Sequence, residues 1–577
     1  MADAERGVNM VEEYTKDGTV DLKGRPFLRS RGGRWQACSF ILVYGVLERM
    51  AHFGIAPNLV LYLTNKLHQG TVSSSNNVTN WFGTMMMTTV LGAYVADAHL
   101  GRYWTFVFSS AIYLLGMILL FLSVSLPSLR PPPCDSSTTV DCSRQTKQYQ
   151  IAFFFFALYT IAVGAGGTKP NISTMGADQF DPLQPKEREQ RISFFSRWTF
   201  SVFFGNLISC TALVYIQDNY GWSVGYAIPA AALGFSIIVF LIGTPFYRHK
   251  PPSSGPFTRI ARVLVASVRK WRVSLPDDPN ELHELEDVKV KCRADHTDSI
   301  RFLDKAAVMI CEESENPWLL CTVTEVEETK QILKLLPIFI TTIMPSVMMA
   351  QALTLFVKQG ATLDRSMGPH FEVPPASLSA IIIIATLTSL AVYDRWLIPA
   401  MRKHTKNPRG TTLLKKMGIG LGLYAFIMMV AALTERMRLR AVRESGLVHA
   451  NTTVPLSVFV LVPQFALMGF AEMLVEVGKM EFFYDQAPEG MKSLGASFFT
   501  MSSGVGNFVS SFLLSTVSNI TKKGGRRGWI ENNLNESHLD YYYSFLAALS
   551  AINFILFFMI SRSYVHNKEE AASSERC

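Results

Sequence analysis

The chain has 577 residues, of which 49% are hydrophobic and only 17% charged, and its long apolar runs recur from one end to the other, which sets aside an ordinary soluble domain and argues for a polytopic membrane protein in a lipid bilayer. The net charge of +8 does not imply nucleic acid, because lysines and arginines sit mainly in loops flanking apolar runs, where the positive-inside bias puts them. Eight cysteines are scattered without the spacing of a metal site, so no metal or cofactor is expected, and only Cys134 and Cys142, flanking a polar loop, are placed to form a disulfide.

Residues 1–35 are polar through Arg31 and carry Asp3, Glu5, Glu12, Glu13 and Asp17. They read as a cytosolic N-terminal tail without a cleavable signal peptide. Apolar segments follow near residues 36–65, 78–98, 103–126, 149–169, 194–216 and 223–246, and, after a polar interval, near 331–357, 376–400, 412–434, 454–484, 492–518 and 541–562. Each approaches the roughly 20 residues a helix needs to cross a bilayer. The pattern predicts an all-α membrane protein with twelve transmembrane helices in two six-helix bundles, over 36–247 and 329–566, around a central cavity. A cytosolic linker over 248–328 joins them, and residues 567–577 form a cytosolic tail. Within the linker, Thr258 to Arg272 has apolar positions and a basic face, as expected of an amphipathic helix on the inner leaflet. For the rest of it a mixed-charge tether is the simplest role.

With the N-terminus inside, the sequons at Asn77, Asn451, Asn519 and Asn535 fall outside and the one at Asn171 falls inside. Two outer groups of cations, Arg436, Arg438 and Arg440, and Lys522, Lys523, Arg526 and Arg527, lie on the side that the positive-inside bias disfavours.

Charged residues inside the spans carry the chemistry. Glu48, Arg49 and His52 stand near the middle of the first span, with Glu48 and His52 one turn apart. Lys169 ends the apolar run of the fourth. A lone ammonium in hydrocarbon costs roughly 2.5 to 3.5 kcal/mol, so it needs a carboxylate, a wet cavity or a route to the headgroups. The tenth span holds Glu472, Glu476 and Lys479 on one stripe. Counted from near Ile151 and from residue 454, Lys169 and Glu472 lie equally far along, so at roughly 1.5 Å rise per residue they reach similar depth. Opposite charges at one depth on equivalent helices would form a gate that is made in one orientation of the bundles and broken in the other. The loop after the second span sets Asp97, Gly101 and Arg102 close together, and an echo follows six spans later at Tyr393-Asp394-Arg395 and Arg402. Such charge clusters at inner helix ends can lock bundles together.

Asp97, Gly101 and Arg102 resemble the loop motif of the major facilitator superfamily. The stretches Thr168 to Ser173 and Gly176 to Asp181 resemble the signature of the proton-dependent oligopeptide transporters, and Arg301 to Ala307, Cys321 to Glu327, Thr362 to Arg365 and Glu481 to Pro488 resemble its plant nitrate/peptide transporter branch. The resemblance spans about residues 30–566 and implies the major facilitator fold with rocker-switch alternating access. It also implies roles. Glu48 and Arg49 match the last two positions of the family's Glu-x-x-Glu-Arg proton-coupling motif, Lys169 its fourth-helix lysine and Glu472 its tenth-helix glutamate. Proton coupling then falls to Glu48 and Glu472, and gating to the Lys169–Glu472 contact with Asp97 and Arg102. Substrate would be held by Arg49, Lys169, Phe53, Met349 and Gln351. Thr105 resembles a regulatory phosphorylation position.

Four positions depart from the pattern. Gly45 stands where the motif's first glutamate belongs, so Gly45→Glu should restore a coupling carboxylate. His52 and Phe53 replace a tyrosine pair of peptide carriers, with His52 able to titrate in place of the lost glutamate. Met349 replaces a histidine implicated in nitrate binding, and Phe203 an asparagine. Three readings result: proton-coupled symport of di- and tripeptides or related small solutes, transport of nitrate or another small anion, or a substrate sensor with little flux. An enzyme is not expected, because the polar groups within the spans offer neither metal-ligand spacing nor a nucleophile beside its base. The expected home is the plasma or the vacuolar membrane.

Overall fold

The computed structural model describes residues 14–564 except 16, 132–145, 252–254, 277, 279–280, 285–295, 310–315, 317, 406–410, 451, 489–490 and 524–526, and except the side chains of residues 394, 404 and 405. Cys134, Cys142 and the sequon residue Asn451 lie outside the described residues, as does the side chain of Asp394 in the echoed loop motif.

A helix forms at every apolar run. The first six are α1 (Arg34–Phe53), α2 (Thr71–Val95), α3 (Gly101–Ser125), α4 (Gln148–Ala177), α5 (Pro185–Ile208) and α6 (Trp222–Ile242). The linker helix α7 (Pro256–Arg269) follows. The seventh run is broken into α8 (Val323–Lys334), a short piece over Leu336–Thr341, α9 (Ile343–Ala352) and α10 (Leu355–Ala361), with Pro337 and Pro345 in the first turns of the second and third pieces, where a missing N–H ends the preceding ladder. Then come α11 (Ser379–Val392), α12 (Leu413–Glu444), α13 (Val462–Glu472), α14 (Gly478–Gln486), α15 (Lys492–Thr521) and α16 (Leu539–Ser563). Thr322 and Thr412 start α8 and α12 by accepting the backbone N–H of Glu325 and Lys415 at 3.2 and 3.4 Å. Among the described residues, nine helical segments are long and apolar enough to cross a membrane. One of them, Thr71–Ser125, holds both α2 and α3, which part at Gly101, where φ is +77° and only glycine is unstrained. α1 and α15 are helices of similar length but richer in polar residues.

Small residues let the helices close up. A Cβ on Gly164 would lie 2.4 Å from Tyr113 N, and one on Gly167 only 1.9 Å from Ser109 Oγ. The glycine run before Lys169 is therefore the seam along which α4 meets α3, the packing expected where lipid gives helices no hydrophobic drive to associate. One large apolar core unites residues from α1 to α6, and two others unite α9 to α16 with the inner part of the seventh run.

The linker is not a tether. Val263 and Ala266 of α7 bury against Leu303, Ala306, Ala307, Cys321, Val323 and Val326, making a fourth core on the inner extension of α8. Lys330, fully buried, bonds Asp304 and Glu327 at 2.7 Å each. The tail also folds back. Val20 and His249 exchange backbone hydrogen bonds at 2.8 and 2.9 Å, and Phe27 is buried under the Arg248 guanidinium.

Several cations of the two groups that the positive-inside bias disfavours are paired. Arg438 is buried against Glu435, Arg436 reaches Asp540, Lys522 reaches Glu531 and Arg527 reaches Glu536.

The two halves meet at one end, where α2 begins and α15 ends. Thr71 donates its N–H to Asn532 Oδ1 at 3.1 Å, Asn76 Nδ2 donates to Ser515 Oγ at 2.7 Å, and Lys358 Nζ donates to Thr71 Oγ1 at 2.9 Å. Tyr215 stacks on Phe371 with ring centroids 5.7 Å apart. Farther in, a Cβ on Gly83 of α2 would come within 3.0 Å of the Gly504 carbonyl oxygen of α15.

Candidate functional site

Helices α1 and α4 bring three charges together. Glu48 is 4% exposed, and its Oε2 lies 3.4 Å from Arg49 Nε. Lys169 projects from the glycine seam of α4, its Nζ 3.4 Å from Met85 Sδ. Glu48 and Arg49 are the charged groups acting on it. The buried hydroxyls of Tyr44, Ser110 and Tyr113 line the space around them, with Tyr44 beside Ser110 and Thr168 and Tyr113 beside Glu48. Two cations facing one carboxylate leave positive charge in excess. Such a site can receive an anionic or carboxylate-bearing solute.

Lys169 and Glu472 do not meet here. Glu472 Oε2 accepts from Thr386 Oγ1 at 3.1 Å, and its charged neighbours are Glu476 and Lys479 of its own half. The equal residue counts that put the pair at one depth fail because Val454–Ser457 is a β-strand, paired in parallel with Leu363–Asp364, and helix begins only at Val458. At its other end α4 starts at Gln148, ahead of the predicted start.

His52 is buried in an aromatic box, its ring 5.1 Å from Phe53 and 6.0 Å from both Trp81 and Phe82, with Nδ1 unpartnered. Phe53 and Phe203 pack on a small apolar cluster of Cys210, Ala380 and Ile383 that joins the halves. Met349 is partly buried against the C-terminal core. Gln351 is buried, and its amide donates to Val347 O and to Ser510 Oγ, both at 3.1 Å, tying α9 to α15.

Gly45 also corrects expectation. A Cβ there would lie 2.6 Å from Cζ3 of Trp198. The volume that a motif glutamate would need is filled by an indole of α5. Thr105 is 3% exposed inside α3, with no partner for its hydroxyl, so a kinase would have to unpack the helix to reach it.

Asp97 and Arg102 do form a cluster, 3.4 Å apart, but within one half. Arg102 also bonds Asp178 at the end of α4, and Lys250 reaches Asp178 at 3.0 Å. Residues not singled out in the sequence complete this inner fastening. Arg248, fully buried, bonds Glu187 at 2.8 Å, Arg34 reaches the same carboxylate, and Asp181 accepts Arg29. Separations of 61 and more than 150 residues left no local signal of these pairs. Lys358 did leave one, a lone cation in an apolar run. Among the described residues His296, Asp304 and Glu327 alone lie close enough to share a cation, and the Lys330 ammonium already occupies their carboxylates.

Two helical bundles packed through small residues, fastened at one end around buried charge, define a multi-pass membrane carrier, not an enzyme. The POT family model matches residues 103–530. Protein NRT1/PTR FAMILY 5.2 of Arabidopsis thaliana is 56% identical over 563 residues, covering 97% of this chain and 96% of that protein, and protein NRT1/PTR FAMILY 8.3 of the same plant is 42% identical, covering 98% and 97%. A crystal structure of an auto-inhibited POT family peptide transporter superposes with a TM-score of 0.67 at 20% identity, covering 92% of this chain and 97% of that one. A POT family transporter in complex with 5-aminolevulinic acid gives 0.61 at 14%, covering 96% and 99%. The chain belongs to the POT family of membrane transporters.

Proposed function

We propose that this transporter is a proton-coupled symporter of di- and tripeptides or related small solutes, working by alternating access across the plasma or vacuolar membrane. The gathering of Glu48, Arg49 and Lys169 in a buried, hydroxyl-lined interior carries this reading. The carboxylate end of a peptide would lie against Arg49 and Lys169, while Glu48 offers the amine end or a proton its counter-charge. The halves over 36–247 and 329–566 would rock as units, twelve helices crossing the bilayer. Fastening at Thr71, Asn532 and Lys358 describes the state closed to the outside. In the opposite orientation Lys169 would leave Glu48 for Glu472, and protonation of Glu472 would release it.

Nitrate or another small anion is the second reading, favoured by the two cations beside one carboxylate. A sensor with little flux is the third, favoured by the indole at Gly45. Uptake of labelled dialanine and of labelled nitrate into proteoliposomes, with and without an inward-acid gradient, separates them. Gradient-driven accumulation of dialanine is expected. Accumulation of nitrate alone, or binding without accumulation, would replace the first reading by the second or third.

A further inference from the structure

With the indole of Trp198 seated on Gly45, a carboxylate at that position of α1 would have to displace the ring. The C-terminal half, however, carries one that the scheme above does not use. Glu476 lies one turn beyond Glu472, in the π-turn Met473–Val477 between α13 and α14, a kind of helix interruption frequent at functional sites. Its side chain is 20% exposed, and its Oε1 accepts from Lys479 Nζ at 2.8 Å. Lys479 is fully buried, its ammonium 4.9 Å from the ring centroid of Phe499 on α15.

The other groups facing this cluster come from α11 and α12. Thr386 donates to Glu472. Tyr424 is fully buried, its hydroxyl is without a partner, and both Glu472 and Glu476 act on it. The stem of Lys416 passes Gly478, with its ammonium 4.7 Å from the Tyr393 ring centroid. Close at hand are thus two carboxylates, the ammonium of Lys479 bonded to Glu476, the ammonium of Lys416 over the Tyr393 ring and the Tyr424 hydroxyl. Glu472 is bonded by the neutral Thr386, so in a low-dielectric interior its charge beside that of Glu476 is unfavourable, and one bound proton relieves it.

We infer that Glu472, Glu476 and Lys479 form a one-proton site in the C-terminal half, with Glu476 supplying the carboxylate that is absent at Gly45. A proton taken from water in the open cavity would bond one carboxylate oxygen. The other carboxylate stays paired with Lys479, and Tyr424 donates to whichever oxygen remains charged. The same proton returns to water when the opposite orientation brings Lys169 to Glu472. This inference rests on the proton-coupled reading.

Wild type, E476Q and E476Q/K479Q in proteoliposomes test it, with labelled dialanine followed both as gradient-driven accumulation over a pH series and as exchange without a gradient. The double variant removes both partners of the ion pair, so neither Glu476 nor Lys479 is left facing a missing partner. Loss of accumulation and of its pH dependence in both variants, with exchange retained, is the expected result. A double variant that accumulates dialanine with the wild-type pH profile would overturn the inference, reducing Glu476–Lys479 to a structural pair. Wild type that exchanges but never accumulates under a gradient would overturn the proton-coupled reading and this inference together.

Discussion

Trp198 and Gly45 interlock so closely that any side chain at position 45 must displace an aromatic ring. Gly45→Glu should therefore destabilise the protein before it alters coupling. The expected loss is about 1–3 kcal/mol or more, the usual penalty for overpacking, read as a lower melting temperature in detergent. Gly45→Glu with Trp198→Ala should recover part of it. Lys330 is the opposite case, a buried ammonium whose removal strands Asp304 and Glu327 in the linker core. Lys330→Met should cost about 3–5 kcal/mol and expose the linker to limited proteolysis.

Among elements, α10 and the folded tail respond to charge most directly. Lys358 is 6% exposed, and no carboxylate among the described residues pairs with it. Its bond to Thr71 crosses between the halves, so the outer closure buries a lone cation, which is unfavourable. Lys358→Met should strengthen the closed state. External maleimide labelling of a cysteine placed at Asn532 is expected to slow about tenfold if closure gains roughly 1.4 kcal/mol. The tail responds through His249, whose imidazole is held down at about 4 by burial beneath it. Undocked, the ring would titrate near its ordinary value of about 6.5. The undocked form therefore binds more protons below that value, and docking weakens as pH falls from about 6.5 toward 4. Proteolysis within residues 14–33 should be slow at neutral pH and fast at mildly acid pH. A His249→Gln variant should lose that dependence.

For the whole molecule, alternating access requires the outer closure to break in every cycle. A disulfide between cysteines replacing Thr71 and Asn532 should stop transport when oxidised and release it on reduction, measured as uptake before and after dithiothreitol. Undiminished uptake by the cross-linked protein would show that the halves do not part there. Lys169 lies with Glu48 in this structure, while Glu472 is bonded by Thr386 of its own half, and the two charges do not sit equally far along their helices.

The helices were legible one by one, because apolar runs near the bilayer's thickness force the backbone to satisfy itself internally. Glu48, Arg49, Lys169 and Glu472 were legible for the same reason: charge in an apolar run stands out against its neighbours. Family motifs added Asp97 and Arg102. What a neighbouring helix places against a residue was not legible. Trp198 is 153 positions from Gly45, Ser510 is 159 from Gln351, and Thr105 is buried by packing that its loop-like setting did not reveal. The linker read as a tether because Lys330 and its carboxylates look solvated until they are brought together. By itself the sequence determined which segments are apolar helices and which charges within them must find company. Only the tertiary structure decided the company, since a buried ion takes the partner that space and helix register allow, and neither is written in linear distance.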